Sequence, residues 1–168
     1  MATISKGTPT NFELAIPRLP SMTSLQEVDK LTLHLHEAVL PSMQVEMIPR
    51  YWQGVKVDEQ AGHDITYDDW NISFTVDANL ENWLALYEWL NYITTALADQ
   101  NEHINPVDHT VDCSLIATDN FKNQVFNAQF KGVWIQTLGE IRFANRDGEM
   151  VLESTAILKY GYYSVTRL

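Results

Sequence analysis

Apolar and polar residues alternate along much of this chain, most clearly where Trp70, Ile72, Phe74 and Val76 interleave with Asn71, Ser73, Thr75 and Asp77. Side chains on a strand point to opposite faces in turn, so the pattern predicts a half-buried antiparallel strand over 66–77, packed on one face and wet on the other. The period then changes. Trp83, Leu84, Leu86, Tyr87, Leu90, Ile93, Thr94 and Leu97 recur at three- and four-residue spacing, which predicts an amphipathic helix over about 79–97. Asn79 is a candidate N-cap, and Glu81 puts a negative charge where the helix dipole favours one.

Period two dominates elsewhere and predicts strands over 12–16, 31–39, 44–48, 111–117, 124–134, 140–144 and 149–162. Phe126, Ala128, Phe130 and Trp134 oppose Asn127, Gln129 and Lys131; Leu152, Ala156, Leu158 and Tyr160 oppose Glu153, Thr155 and Lys159. Asn145-Arg146-Asp147-Gly148 carries an Asp-Gly pair that predicts a hairpin turn, and Pro41 and Pro49 are expected to interrupt pairing. The predicted fold class is mainly β, an antiparallel β-barrel or sandwich with one flanking α-helix. Residues 50–64 fit no simple period and are expected to form a projecting loop or hairpin exposing Tyr51 and Trp52, residue types enriched at protein interfaces.

A length of 168 residues with 45% hydrophobic content fits one domain with a substantial core, residues 1–168, preceded by a polar arm over 1–10. That arm does not read as a secretory signal, and no apolar run approaches the roughly 20 residues of a membrane span. Cys113 is the single cysteine, so neither a disulfide framework nor a cysteine-rich metal site is expected. The formal charge of −11 is unevenly spread: Lys56 and Lys122 bracket an interval without a Lys or Arg. Such a surface repels phosphate backbones and disfavours tight nucleic-acid binding, although it also serves solubility.

Candidate chemistry is sparse. His34 and His36 share a strand face at a spacing that suits a transition metal, but a site normally needs three or more ligands and no third is identifiable. Asp68 and Asp69 point to opposite sides of a strand and make a poor acid–base pair. Cys113, Ser114, Ser154 and Ser164 lack the context of an activated nucleophile, and no glycine-rich phosphate loop is present.

Several segments follow one another in a recognisable order: Leu40-Pro41, Glu46-Met47-Ile48-Pro49, the run from Thr66 to Phe74, a helix containing Trp89, the run from Lys131 to Ile141, and a terminal strand from Val151 to Tyr162. Together they resemble the tail tube protein of contractile-tailed bacteriophages, a family related to the inner-tube proteins of type VI secretion. The run Gly132-Val133-Trp134-Ile135-Gln136-Thr137-Leu138-Gly139-Glu140 is similar to a Gly-aromatic-Pro-x-x-hydrophobic-Gly-Glu segment of that family, with Gln136 where proline is common. A second departure is the extension Pro17 to Asp29.

The resemblance implies a structural virion protein rather than an enzyme, with no cofactor, metal or membrane partner. It implies hexameric rings stacked into a tube within a contractile sheath, a conduit for DNA ejection. The implied partners are further copies of the chain, the tail sheath protein, baseplate and tail terminator proteins, the tape measure protein and, transiently, DNA in the lumen. The implied place is the tail of a virion assembled in the host cytoplasm. Candidates for contact between subunits or stacked rings are Tyr51, Trp52, Lys56, Asp58, Glu59, Asp68 and Asp69. Strand alternation makes Asn71, Ser73, Thr75, Asn127, Gln129, Glu153 and Thr155 the candidates for the lumen. Other readings stay open: a baseplate tube-initiator, an inner tube of a type VI or extracellular injection system, a small-ligand-binding β-barrel, and metal-assisted hydrolysis through His34 and His36.

Overall fold

The structure, a computed structural model, describes residues 12–17, 19, 30–33, 35–98, 109–118, 123–143 and 151–167. Its elements are β1 (Phe12–Pro17), β2 (Lys30–Leu33), β3 (Leu35–Ala38), β4 (Met43–Trp52), β5 (Val55–Tyr67), β6 (Trp70–Thr75), α1 (Glu81–Ala98), β7 (Val111–Thr118), β8 (Gln124–Leu138), β9 (Glu153–Lys159) and β10 (Tyr162–Arg167). Among the described residues, eight strands form one antiparallel sheet in the order β2-β1-β7-β8-β9-β6-β3, with β10 also on β8, and β4 and β5 pair only with each other.

The sheet turns on β8. Residues 124–133 of β8 pair with β7 and residues 126–131 pair with β10, whereas its far end, Trp134 to Leu138, pairs with β9. β9 and β10 follow one another along β8 in one register, Trp134 opposite Lys159 and Lys131 opposite Tyr162, interrupted at Tyr160 and Gly161. Irregularities align at this level on three strands. Gly132 has φ 64°, the β7–β8 register shifts between Val111 and Cys113, and the Gly161 amide donates to the Lys131 carbonyl at 2.9 Å. The Asp112 carboxylate takes Lys131 Nζ at 2.6 Å and the Gly132 amide at 3.1 Å, fixing the bend as a bulge with its glycine in left-handed backbone. The two ends of the sheet thereby enclose one core in a sandwich, the architecture that the alternating pattern predicts. β2 and β3, adjacent in sequence, lie at opposite ends of the sheet.

Trp70 lies flat on Phe130, ring centroids 3.8 Å apart and planes within 7°, with Phe74, Leu14, Ile16, Leu86, Trp89 and Leu158 fully buried around them. α1 buries Ala85, Leu86, Trp89 and Ile93 and is tied down by two indoles, Trp89 Nε1 donating to the His109 carbonyl at 3.0 Å and Trp83 Nε1 to that of Gly139 at 3.4 Å. Its packed face is rotated from the predicted one, because Leu84, Tyr87 and Thr94 are exposed while Ala85 and Trp89 are buried. Asn79 is not the cap: the first helical bond runs from the Leu84 amide to the carbonyl of Leu80, whose φ is 60°, and Asn79 bonds Glu81 instead.

Other boundaries move as well. The strand expected over 140–144 is absent through Phe143, because the β8 ladder ends at Leu138 and the Gly139 amide then donates to the Thr155 carbonyl at 2.6 Å. The strand expected over 66–77 is divided, since Thr66 and Tyr67 belong to β5 and β6 starts at Trp70. Pro49 does not break pairing but sits within β4 opposite Glu59, where a two-stranded ribbon leaves its missing N–H without consequence. The Asn145–Gly148 turn, the 1–10 arm and His34 lie outside the described residues.

Candidate assembly surface

β4 and β5 form a ribbon that no ladder pair connects to the sheet. Its turn is Gln53-Gly54, with φ 49° and 80°, two successive left-handed residues as a tight two-residue hairpin requires. The register places Met43 opposite Tyr67, Val45 opposite Ile65, Met47 opposite Ala61, Pro49 opposite Glu59 and Tyr51 opposite Lys56, so alternation gathers Met43, Val45, Met47, Pro49, Tyr51, Ala61, Ile65 and Tyr67 into a mainly apolar face that Lys56 and Glu59 share near the tip. Gln44, Glu46, Ile48, Arg50 and Trp52 of β4 take the other face with Thr66 of β5, so Ile48 and Trp52 are exposed on the more polar side. All ten residues of β4 are exposed, and Trp52 at the tip is 71% exposed. An isolated two-stranded ribbon is marginal in water, and its grouped exposed apolar side chains make it the candidate contact surface.

The predicted interface residues divide between the ends of this ribbon. Tyr51, Trp52, Lys56, Asp58 and Glu59 surround the tip, where Arg50 Nε lies 3.5 Å from Asp58 and Lys56 is paired with Glu59. Asp68 and Asp69 lie at the root, Asp68 accepting the Ser42 hydroxyl and Asp69 pairing with Lys159. Around them the structure brings in Pro41, Tyr160 and Tyr163, none of which is among the contact candidates read from the sequence. Tyr160 donates to the Asp68 carbonyl and Tyr163 to that of Pro41, both at 2.9 Å, and the Tyr67 ring lies 5.8 and 5.7 Å from theirs. Burial above all, and then the neighbouring Tyr163, Tyr67 and Asp68, push the Tyr160 phenol up to about 12; burial raises Tyr163 too. Both phenols therefore remain donors across the physiological range.

The lumen candidates also fall into two groups. Ser73 stands opposite Thr155 and Thr75 opposite Glu153, so with Asn71 they make one cross-strand polar patch on the outer face of β6 and β9. His36 of β3 joins it, 2.7 Å from Thr75 Oγ1 and 3.4 Å from Glu153. Asn127 and Gln129 belong to the other end of the sheet, opposite Thr166 and Ser164 of β10, and no ladder pair joins them to the first group. The Asn127 side-chain oxygen is shut away from solvent with no hydrogen-bond partner among the described residues. His36 is engaged in the polar patch, and among the described residues no three His, Cys, Asp or Glu side chains converge as a metal site would need.

The described residues thus form a bent antiparallel sandwich with one helix and an outlying ribbon. Residues 7–165 match the family model described as phage tail tube protein. The chain belongs to the phage tail tube protein family. It is therefore a structural component of a tail rather than an enzyme, as the ordered segments from Leu40 to Tyr162 imply. Among its relatives is the tail tube terminator protein of Enterobacteria phage T4, 26% identical over 169 residues, which cover 94% of this chain and 88% of that one. Similar folds occur in the six-fold symmetrised baseplate of the anti-feeding prophage, with TM-score 0.69 at 8% identity over 98% of both chains. Another is found in that prophage's tube terminating cap, with TM-score 0.67 at 12% identity over 100% of this chain and 95% of the other. These two structures share the fold over essentially the whole chain.

Proposed function

We propose that this chain is a ring-forming subunit of the inner tube of a contractile tail: six copies close a ring coaxial with the tube, and rings stack through the β4–β5 ribbon. The observation that carries this reading is the ribbon itself, whose apolar face from Met43 to Tyr51 is exposed in the single chain and whose tip carries Trp52. Ring closure also gives the outer strands of the sheet partners, which protects edges that would otherwise promote uncontrolled association. The polar patch of Ser73, Thr75, Glu153 and Thr155, on a chain of net charge −11, suits a bore along which DNA slides without being held. In this reading, sheath, baseplate, terminator and tape measure proteins are the neighbours of the assembled tube.

A second reading places the same ring at the end of the tube rather than along it. The T4 relative favours it, since that protein is a tail tube terminator and the alignment spans nearly all of both chains. Negative-stain electron microscopy of the purified protein, alone and with preformed cognate tubes, separates the two. A tube-body subunit gives stacked tubes as concentration rises; a terminator gives single six-fold rings that cap tube ends and stop their growth. A monomer that neither self-associates nor binds tubes overturns both.

A further inference from the structure

The ribbon is attached to the sandwich through two short connectors, residues 39–42 before β4 and residues 68–69 after β5, and no ladder pair continues into the main sheet. Something other than strand pairing must therefore set its direction. Both connectors are held by one short segment, residues 160–163, which spans the interruption after β9 and the start of β10: Tyr160 donates to the Asp68 carbonyl and Tyr163 to the Pro41 carbonyl. The connectors are also tied to each other, the Asp68 amide donating to the Ser42 carbonyl at 3.2 Å and the Ser42 hydroxyl to the Asp68 carboxylate. The Tyr67 ring, on the apolar face of the ribbon, closes the arrangement by packing edge-on to Tyr160 and tilted on Tyr163.

We propose that Tyr160, Tyr163, Ser42 and Asp68 form a clasp that fixes the angle at which the ribbon leaves the sandwich, and that a second copy of this chain requires this angle. The inference rests on the ribbon-mediated ring contact proposed above, which the experiment below tests separately. Leverage is its physical basis. Ten residues of β4 extend about 30 Å at the usual rise per strand residue, so an error of roughly 10° at the root moves the tip by about 5 Å. A packed interface does not absorb such a displacement. The tyrosines are thus positioning residues, acting through the connectors rather than touching the partner.

The decisive variant is Tyr160→Phe with Tyr163→Phe, which keeps both rings in the aromatic cluster and removes only the two hydroxyls. Hydrogen exchange of the full-length protein is read at the ribbon and in β7–β9, together with the concentration at which rings, or caps on preformed tubes, appear. The clasp predicts that the Asp68 amide and ribbon amides exchange about tenfold faster, the effect of losing a hydrogen bond, with the threshold concentration raised at least as much. Core amides at Leu115, Ala128 and Leu158, and the melting temperature of the single chain, stay unchanged. Unchanged ribbon exchange and assembly overturn the clasp. Should the double variant also open the core, Ser42→Ala, which leaves the aromatic cluster intact, decides on the same two readouts. Tyr51→Ser with Trp52→Ser tests the underlying reading: normal assembly of this tip variant refutes the ribbon contact itself, whereas its failure beside a normally assembling clasp variant refutes the clasp alone.

Discussion

Gly139 illustrates how a single atom sets a corner of this fold. A Cβ there would lie 2.4 Å from Thr155 Oγ1 and 2.8 Å from the Thr155 carbonyl oxygen, on a residue whose amide donates to that carbonyl and whose own carbonyl accepts from Trp83 Nε1 and Ser154 Oγ. The obstacle is backbone, which cannot swing aside. Gly139→Ala is therefore expected to destabilise the single chain by roughly 1–3 kcal/mol, the range for forcing atoms into packed space, measured as a shift in the urea midpoint. An unchanged midpoint would mean that β8 and β9 separate more easily than this packing implies. The Gly-Glu pair in the segment from Gly132 to Glu140 made this residue conspicuous in the sequence, but its reason lies in Thr155, sixteen positions away, and was not legible there. Asp68 and Asp69 stand out in the sequence for similar motif reasons. Their partners, Ser42 in the connector before β4 and Lys159 at the end of β9, are distant in sequence and no local spacing connects them.

Elements whose apolar face meets the core were read most easily. β6 shows the alternation buried, exposed or half-buried throughout, and α1 lies within two residues of its expected start. β4 has an equally apolar sequence, yet every residue of it is exposed. Alternation reports that a strand has an apolar face, not whether that face packs on its own core or on another molecule, so the ribbon's full length was hidden. Its stability as an element depends on the turn. Gln53 occupies a left-handed position that asparagine tolerates better, and Gly54, at φ 80°, occupies one that a Cβ strains even though nothing lies within 4 Å. Gln53→Asn is expected to slow exchange of the ribbon amides. Gly54→Ala should accelerate it by about fivefold, the equivalent of roughly 1 kcal/mol of local opening, with core amides unaffected. Acceleration reaching β7 or β9 would show that the ribbon and sandwich unfold together.

At the scale of the whole molecule, alkali should loosen this protein in an ordered way. Burial, reinforced by the neighbouring Asp112, pushes the Cys113 thiol up to about 12 from an ordinary 9.0, and burial is also the main reason that Tyr160 rises to about 12 from 10.0. In each case the folded chain retains a proton that the unfolded chain releases. The stability linked to each group is thus fully present below its ordinary value and is lost as pH rises towards 12. The onsets differ. Between pH 9 and 10 the loss belongs mainly to Cys113 in the core; above pH 10 Tyr160 joins it at the root of the ribbon. Lys131, raised chiefly by its hydrogen bond to Asp112, adds a smaller, salt-screened share above 10.5 because its ammonium is open to solvent. Urea midpoints taken from pH 8 to 11.5 should therefore fall in two stages, Cys113→Ala flattening the first and Tyr160→Phe the second. A single-stage decline that neither substitution alters would place the alkaline weakness in net-charge repulsion of a chain already at −11, and not in these buried protons.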